Sequence, residues 1–132
     1  MLTRVELIRF QHCDPAGIVF YPRYVEMINA TVEDWFESIG LSFAEIHGPM
    51  KTAIPAVSLN IDFKMPTRLG ERIELRLVVE HIGTTSIRLA IAAALGDEIR
   101  FRSTITLVHI SMLDYRPHPW PPKFRNAMLT DQ

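Results

Sequence analysis

The sequence predicts an α+β domain in which one long amphipathic helix lies against a curved antiparallel sheet of about five strands. Three observations carry that expectation. Apolar residues recur at three- and four-residue spacing over one stretch only, Pro22 to Ile39. Beyond Gly48-Pro49 the period changes to two and holds through Leu107. Turn signals at Pro66–Gly70, Gly83-Thr84-Thr85 and Gly96-Asp97 divide the alternating stretch. A helix and a sheet that each carry one apolar face satisfy each other when the sheet curls around the helix.

Residues 3 to 10 mix Val5, Leu7, Ile8 and Phe10 with Arg4, Glu6 and Arg9, which reads as a short edge or half-buried strand. In the loop that follows, Asp14-Pro15 disfavours helix at Asp14, and Gly17 permits a turn closed to other residues. Pro22 suits the first helical position, where its missing N–H costs nothing. Val25, Ile28, Val32, Trp35 and Ile39, with Phe36 beside them, form the apolar face; Glu26, Asn29, Glu33 and Glu37 take the other side, and Gly40 ends the helix. Arg23 near the start and Asp34 and Glu37 near the end oppose the macrodipole, at a few tenths to about 1 kcal/mol each. Burying Trp35 and Phe36, at about 1.5–3 kcal/mol per large side chain, outweighs this. The helix therefore exists because it packs, and only Asp14 offers an acid to its positive N-terminus.

Ser42-Phe43-Ala44-Glu45 has capping-box form, so a short helical turn is expected before Gly48-Pro49. Val57, Leu59, Ile61, Phe63 and Met65 then alternate with Ser58, Asn60, Asp62 and Lys64 as a half-buried strand. Ile73 to Val79, Ile87 to Leu95 and Ile99 to Leu107 continue as strands joined by tight turns, which predicts four consecutive neighbours. On the last of these, Arg100, Arg102, Thr104 and Thr106 form the polar face. The hairpin strands at the end are expected to leave an open edge and to support dimerisation by sheet extension. The proline-rich tail from Arg116 to Pro122 cannot continue a central strand, and Pro122–Met128 suits a closing helical turn. Residues 1–132 read as a single domain.

Composition excludes several classes. Fourteen basic against 15 acidic residues leave a net charge of −1, which argues against a general binder of nucleic acid or anionic membrane. The single cysteine, Cys13, excludes an intrachain disulfide and fits a reducing compartment. No apolar run approaches the ~18 residues of a membrane span, and the charged N-terminus has no signal-peptide form. The expectation is a cytoplasmic protein. The five histidines lack ligand spacing, so no metal is expected. His12 and Cys13 are adjacent and project to opposite sides of an extended chain, which disfavours a Cys–His pair.

The remaining chemistry is a carboxylate beside a helix N-terminus, whose free N–H groups and peptide dipoles amount to about +0.5 charge. A carbonyl aimed there is polarised while Asp14 attacks it or activates water. The stretch Asp14-Pro15-Ala16-Gly17-Ile18-Val19-Phe20-Tyr21-Pro22-Arg23-Tyr24 resembles the active-site segment of the 4-hydroxybenzoyl-CoA thioesterase branch of the hot dog-fold thioesterases. The element order matches that fold over nearly the whole chain, and Ala56–Phe63 lies where the family has a similar strand. The resemblance implies acyl-CoA thioester hydrolysis without a cofactor, CoA being part of the substrate, by a homo-oligomer: a dimer, or a tetramer of sheet-paired dimers. It assigns Asp14 the place of the catalytic aspartate and Tyr21 that of the residue whose backbone N–H polarises the carbonyl. Gly17, Pro22, Thr84 and Thr85 become candidate substrate contacts. The turn Ile82-Gly83-Thr84-Thr85-Ser86 lacks the lysine or arginine found there in some relatives, which leaves Lys64, Arg68, Arg88, Arg102 and Lys123 as candidates for the CoA phosphates.

The resemblance leans toward an aromatic acyl group, although short-chain aliphatic acyl-CoA hydrolases share a similar motif. A hot dog hydratase needs a motif such as D-x-N-P-x-H, which is absent. A non-catalytic acyl-CoA or acyl-carrier binding module would have no need of the whole Asp14-to-Tyr24 segment.

Overall fold

The structure is a computed structural model describing residues 1–132. The chain opens with strand β1 (Leu2–Leu7), a 3-10 turn (Phe10–His12) and the long helix α1 (Tyr21–Ser38). Helix α2 (Phe43–His47) leads through β2 (Thr52–Ala53) to β3 (Ala56–Phe63). Strands β4 (Arg72–Ile82), β5 (Ser86–Leu95) and β6 (Glu98–Val108) follow, then β7 (Ile110–Ser111) and helix α3 (Pro122–Thr130). The main sheet is antiparallel and ordered β1-β4-β5-β6-β3, while β2 and β7 pair in a small second sheet. No helix is long and apolar enough to cross a membrane.

The inner face of the sheet wraps α1 as expected, but α1 presents a slightly rotated stripe. Tyr24, Met27, Ile28, Thr31, Val32, Trp35 and Phe36 are buried, whereas Val25 is exposed. They meet Ile73, Leu75 and Leu77 of β4, Ile87, Leu89 and Ile91 of β5, and Phe101 of β6 in one core cluster. Pro22 is the second helical residue, not the first, which is equally harmless because the whole first turn lacks intrahelical acceptors. At the far end Gly40 has φ +82°, and the Leu41 and Gly40 N–H groups donate to Phe36 and Glu37, which closes the helix as a Schellman motif. Ser42 Oγ accepts the Glu45 N–H at 3.2 Å, the forward half of the expected capping box.

The strand order departs from the expected four neighbours. β3 pairs with β6 rather than β4, so residues 64–71 cross the end of the sheet. The free edges are therefore β1 and β3, and the terminal hairpin strands β5 and β6 are central. α1 covers β3 only in part: Ile61 packs against the core and Phe63 meets Tyr21 and Tyr24, but Val57 stays 63% and Phe63 53% exposed, so the strand is less buried than expected. The first strand also stops early. Ile8 turns into the core, while Phe10 sits exposed in the 3-10 turn.

A bulge between Ala93 and Ala94 breaks the alternation where β5 meets β6. Leu95 consequently faces solvent, and Arg100, expected on the polar face, turns inward to 5% side-chain exposure. Its guanidinium donates to both Glu71 carboxylate oxygens at 2.8 and 3.0 Å and to the Pro66 carbonyl at 3.0 Å, and it pairs with Glu98 at 2.9 Å. The Arg68 N–H adds a bond to Glu71. These donors, Arg100 first, hold the Glu71 carboxyl at about 2, below its ordinary 4.5.

Because the folded value is depressed, the pair's stabilisation is complete above about pH 4.5 and is lost as pH falls toward 2. Denaturant unfolding of the protein should show stability declining across that window, and less steeply in Glu71→Gln. Glu71→Ala, which leaves the guanidinium buried without its bidentate partner, should lose about 3 kcal/mol at neutral pH.

Candidate active site

The loop before α1 is a small hairpin. Cys13 bridges Val19, the Asp14 N–H donates to the Ile18 carbonyl at 3.0 Å, and the Gly17 N–H donates back to Asp14 at 3.0 Å. Gly17, at φ +78°, fills the left-handed position of a three-residue hairpin loop. Nothing lies within 4 Å of a Cβ built there, so the backbone conformation, not space, calls for glycine. Asp14 Oδ1 accepts the Ala16 N–H at 2.9 Å, which fixes one carboxylate oxygen and leaves the other free of protein partners. Asp-Pro-Ala-Gly thus supplies an Asx-type acceptor, a preset φ and a left-handed residue in the order this turn needs.

The crossover lends this hairpin a third strand. Val19 N–H donates to the Thr67 carbonyl at 2.9 Å, Leu69 N–H donates to Gly17 at 3.0 Å, and Ile18 bridges Arg68. From α1, the buried Tyr24 hydroxyl donates to Thr67 Oγ1 at 2.9 Å. Burial, only partly offset by that bond, raises the Tyr24 phenol above its ordinary range. Thr67 is fully buried, and it ties the loop to the helix.

At the start of α1, Pro22 has no N–H and the Phe20 carbonyl accepts from Arg23. The Tyr21 N–H finds no acceptor within the protomer, and the first turn holds no acidic side chain. The charge at this helix end is uncompensated. Beside it opens a cavity of about 220 Å³, walled by Ile18, Val19, Tyr21 and Tyr24 on one side and Phe63, Lys64, Met65 and Pro66 on the other. The Phe63 ring lies 6.5 Å from that of Tyr21 and 5.8 Å from that of Tyr24. A second cavity of about 310 Å³, between β1 and α1, is lined by Glu6, Gln11, His12, Arg23, Glu26 and Met27, and one methionine among five polar residues is a poor wall for an acyl group.

One end of the sheet therefore gathers Gly17, Tyr21 and Pro22, with half-exposed Asp14 on the adjoining loop. Asp14 enters no ion pair and does not line the apolar cavity. Thr84 and Thr85 lie at the other end. The 11 residues of β4, roughly 30 Å of strand, stand between them and the loop. Their carbonyls accept from Trp120 and His109. Of the basic candidates, Lys64 lines the apolar cavity and Arg68 belongs to the crossover. Arg88, paired with Glu80 at 3.1 Å, and Arg102 face a concavity on the outer side of the sheet; Lys123 is exposed on α3. Thr67, Glu71 and Arg100 escaped the sequence reading. The Pro66–Gly70 turn signal marked the crossover, but periodicity says nothing about what a turn packs against.

This architecture is the hot dog fold, shared at TM-score 0.89 with a 1,4-dihydroxy-2-naphthoyl-CoA thioesterase from Synechocystis, 22% identical, covering 96% of this chain and 94% of that one. A gentisyl-coenzyme A thioesterase superposes at TM-score 0.85 with 20% identity, over 97% of this chain and 99% of that one. In sequence, a 1,4-dihydroxy-2-naphthoyl-CoA hydrolase from Acaryochloris marina is 26% identical over 124 residues, 92% of this chain and 89% of that protein. The thioesterase superfamily model matches residues 16–98, from the second half of the loop through β5. The chain belongs to the thioesterase superfamily and is a thioester hydrolase. Asp14 lies two residues before the matched segment.

Removing the Thr67 hydroxyl leaves a buried phenol without its acceptor. Thr67→Val should lower stability by about 1–3 kcal/mol in denaturant unfolding. It should also increase amide hydrogen exchange in residues 13–19, which Thr67 anchors.

Proposed function

We propose that this chain hydrolyses the thioester of an aromatic acyl-CoA, with Asp14 as the catalytic carboxylate and the Tyr21 backbone N–H as the donor to the thioester oxygen. The observation that carries the reading is that unpaired N–H, at the positive end of α1 and at the mouth of a cavity edged by the rings of Tyr21, Tyr24 and Phe63. Aromatic walls favour a planar acyl group through offset and edge contacts. The naphthoyl and gentisyl groups in the names of the similar proteins support the same choice.

The chemistry needs no cofactor. A thioester oxygen at the Tyr21 N–H loses electron density to the donor and to the helix dipole, which favours addition at the carbonyl carbon. Asp14 then has two balanced routes. As nucleophile it forms a mixed anhydride and expels the CoA thiolate, after which water opens the anhydride. As base it takes a proton from water as the hydroxyl adds, and the thiolate leaves with that proton. Either way the products are free acid and CoA. Gly17 and Pro22 act through the backbone they shape: the loop's left-handed turn and a helix start with one N–H fewer.

The working unit in this reading is a homo-oligomer, a dimer or a pair of dimers. β3 supports it: an open strand edge with Val57, Leu59, Ile61 and Phe63 on the face that α1 covers only in part. Antiparallel self-pairing about Asn60 sets Val57 opposite the partner's Phe63 and Leu59 opposite the partner's Ile61, so all four apolar residues find apolar neighbours. Thr84 and Thr85 would then approach a substrate only from the second protomer. The lone Cys13, free and part-buried, suits a cytoplasmic location.

Thiol release from a panel of acyl-CoAs tests the function. Benzoyl-CoA should turn over with higher kcat/KM than acetyl-CoA. Asp14→Asn should lower kcat by about 10²–10⁴ while leaving the oligomer and thermal unfolding unchanged. Tyr21→Phe should retain kcat, because the working atom belongs to the backbone. Full activity in Asp14→Asn, or binding without turnover across the panel, contradicts the proposal.

A further inference from the structure

The end of the molecule remote from the Asp14 loop carries a protruding tip, residues 111–116, whose construction is unusual. Its polar groups are satisfied internally. Ser111 Oγ accepts the Leu113 N–H at 3.1 Å, the Ser111 carbonyl accepts the Tyr115 N–H at 2.8 Å, and Asp114 accepts from the Arg116 N–H at 2.9 Å. His118 Nε2 lies 3.0 Å from Asp114 Oδ2, and the Met112 N–H donates to the Lys51 carbonyl at 2.9 Å. The apolar side chains, in contrast, project outward. Leu113 is 82%, Tyr115 70%, Met112 42% and Met50 41% exposed.

Two non-glycine residues here have left-handed backbones, Lys51 at φ +53° and Tyr115 at φ +57°, and they are the only two in the chain. Each such residue costs about 1–2 kcal/mol and persists where its surroundings over-determine it. A hydrogen-bonded, strained turn that holds leucine and tyrosine in water is shaped to meet an apolar surface.

The surface it meets follows from the strand it stands on. β2 and β3 run consecutively along one edge, and the tip is built on β2 through β7. In the pairing about Asn60, Met65 lies opposite the partner's Pro55, and each further residue advances about 3.3 Å. At Pro66 the chain turns inward beneath α1, where Arg100 holds the Pro66 carbonyl and Tyr24 holds Thr67. In that pairing the partner's β2 and tip would carry on past Met65, toward the mouth of the 220 Å³ cavity that Phe63, Lys64, Met65 and Pro66 line. That mouth lacks a wall in one protomer: Tyr21 is 63%, Phe63 53% and Met65 47% exposed.

We infer that the 111–116 tip of each protomer closes the acyl cavity of its partner, with Leu113 and Tyr115 as specificity contacts for the aromatic acyl group. The inference rests on the β3 pairing and on the acyl-binding role given to the cavity above. The site is then incomplete in a monomer, and the tip selects for acyl groups large enough to reach it.

Cys13, the single native cysteine, adjoins Asp14 and permits a test that needs no turnover. Leu113→Cys treated with a short bis-maleimide should give a covalent dimer on a denaturing gel, and Leu113→Cys/Cys13→Ser should not. Within one protomer the two positions sit at opposite ends of the sheet, so an intrachain link does not compete. No dimer, or a dimer that survives Cys13→Ser, overturns the placement. For the specificity role, Leu113→Ser/Tyr115→Ser should raise KM for benzoyl-CoA about tenfold while changing kcat little and leaving acetyl-CoA kinetics unchanged. An unchanged benzoyl-CoA KM overturns that role. Failure of the wild-type protein to release thiol from any acyl-CoA would instead count against the proposed function, while the cross-link still reports on the tip.

Discussion

A guanidinium that the sheet turns inward holds the working end of this protein together. Burying Arg100 costs several kcal/mol of desolvation, offset here because both Glu71 oxygens, the Pro66 carbonyl and Glu98 accept from it. The fork geometry is specific to arginine, since a lysine ammonium has no planar pair of donors for the carboxylate. Three of these acceptors lie on the crossover, so the pair fixes where residues 64–71 run. Thr67 on that crossover then anchors Val19 and Tyr24, and Leu69 anchors Gly17. The position of Asp14 and the exposure of the Tyr21 N–H are thus inherited from an ion pair that touches neither.

This chain of support separates what the sequence reveals from what it conceals. Helix α1, the strands of the sheet, the Ser42 cap and the Gly40 stop are local events, written in spacing and in residues with special backbones. The Asp14–Gly17 turn was legible for the same reason: each of its residues has a conformational preference that the loop uses. Pairing is not local. Nothing in the alternation of Val57 to Phe63 says that its neighbour is β6 and not β4, and its apolar face reads as buried although Val57, Leu59 and Phe63 stay largely exposed.

The inward turn of Arg100 was concealed by a different mechanism. Arg100 is the unpaired residue opposite the Ala93–Ala94 step and turns inward beside Phe101, while Phe101, Ser103, Ile105 and Leu107 keep the inward side; a bulge leaves little trace in composition. Thr84 and Thr85 entered the site only through the resemblance, with no local signal of their own. Within a single chain they stand a full strand length away from the loop.

The protomer also carries the marks of a part. One edge of its sheet is apolar and unprotected, its aromatic cavity lacks a wall, and a strained hairpin presents leucine and tyrosine to water. Natural sheets blunt such edges unless something covers them. The proposed β3 pairing would bring the hairpin to the cavity, so a single symmetry operation would account for three features that are otherwise costly.

The central claim is that the thioester carbonyl is polarised by a backbone donor before any bond changes. Isotope-edited infrared spectroscopy of carbonyl-labelled benzoyl-CoA bound to the Asp14→Asn protein tests it most directly, because the substrate then persists in the site. The account predicts a carbonyl stretch shifted to lower frequency than in free benzoyl-CoA in water. A stretch at or above the free value would show that the Tyr21 N–H and the helix terminus do not act on the reacting group.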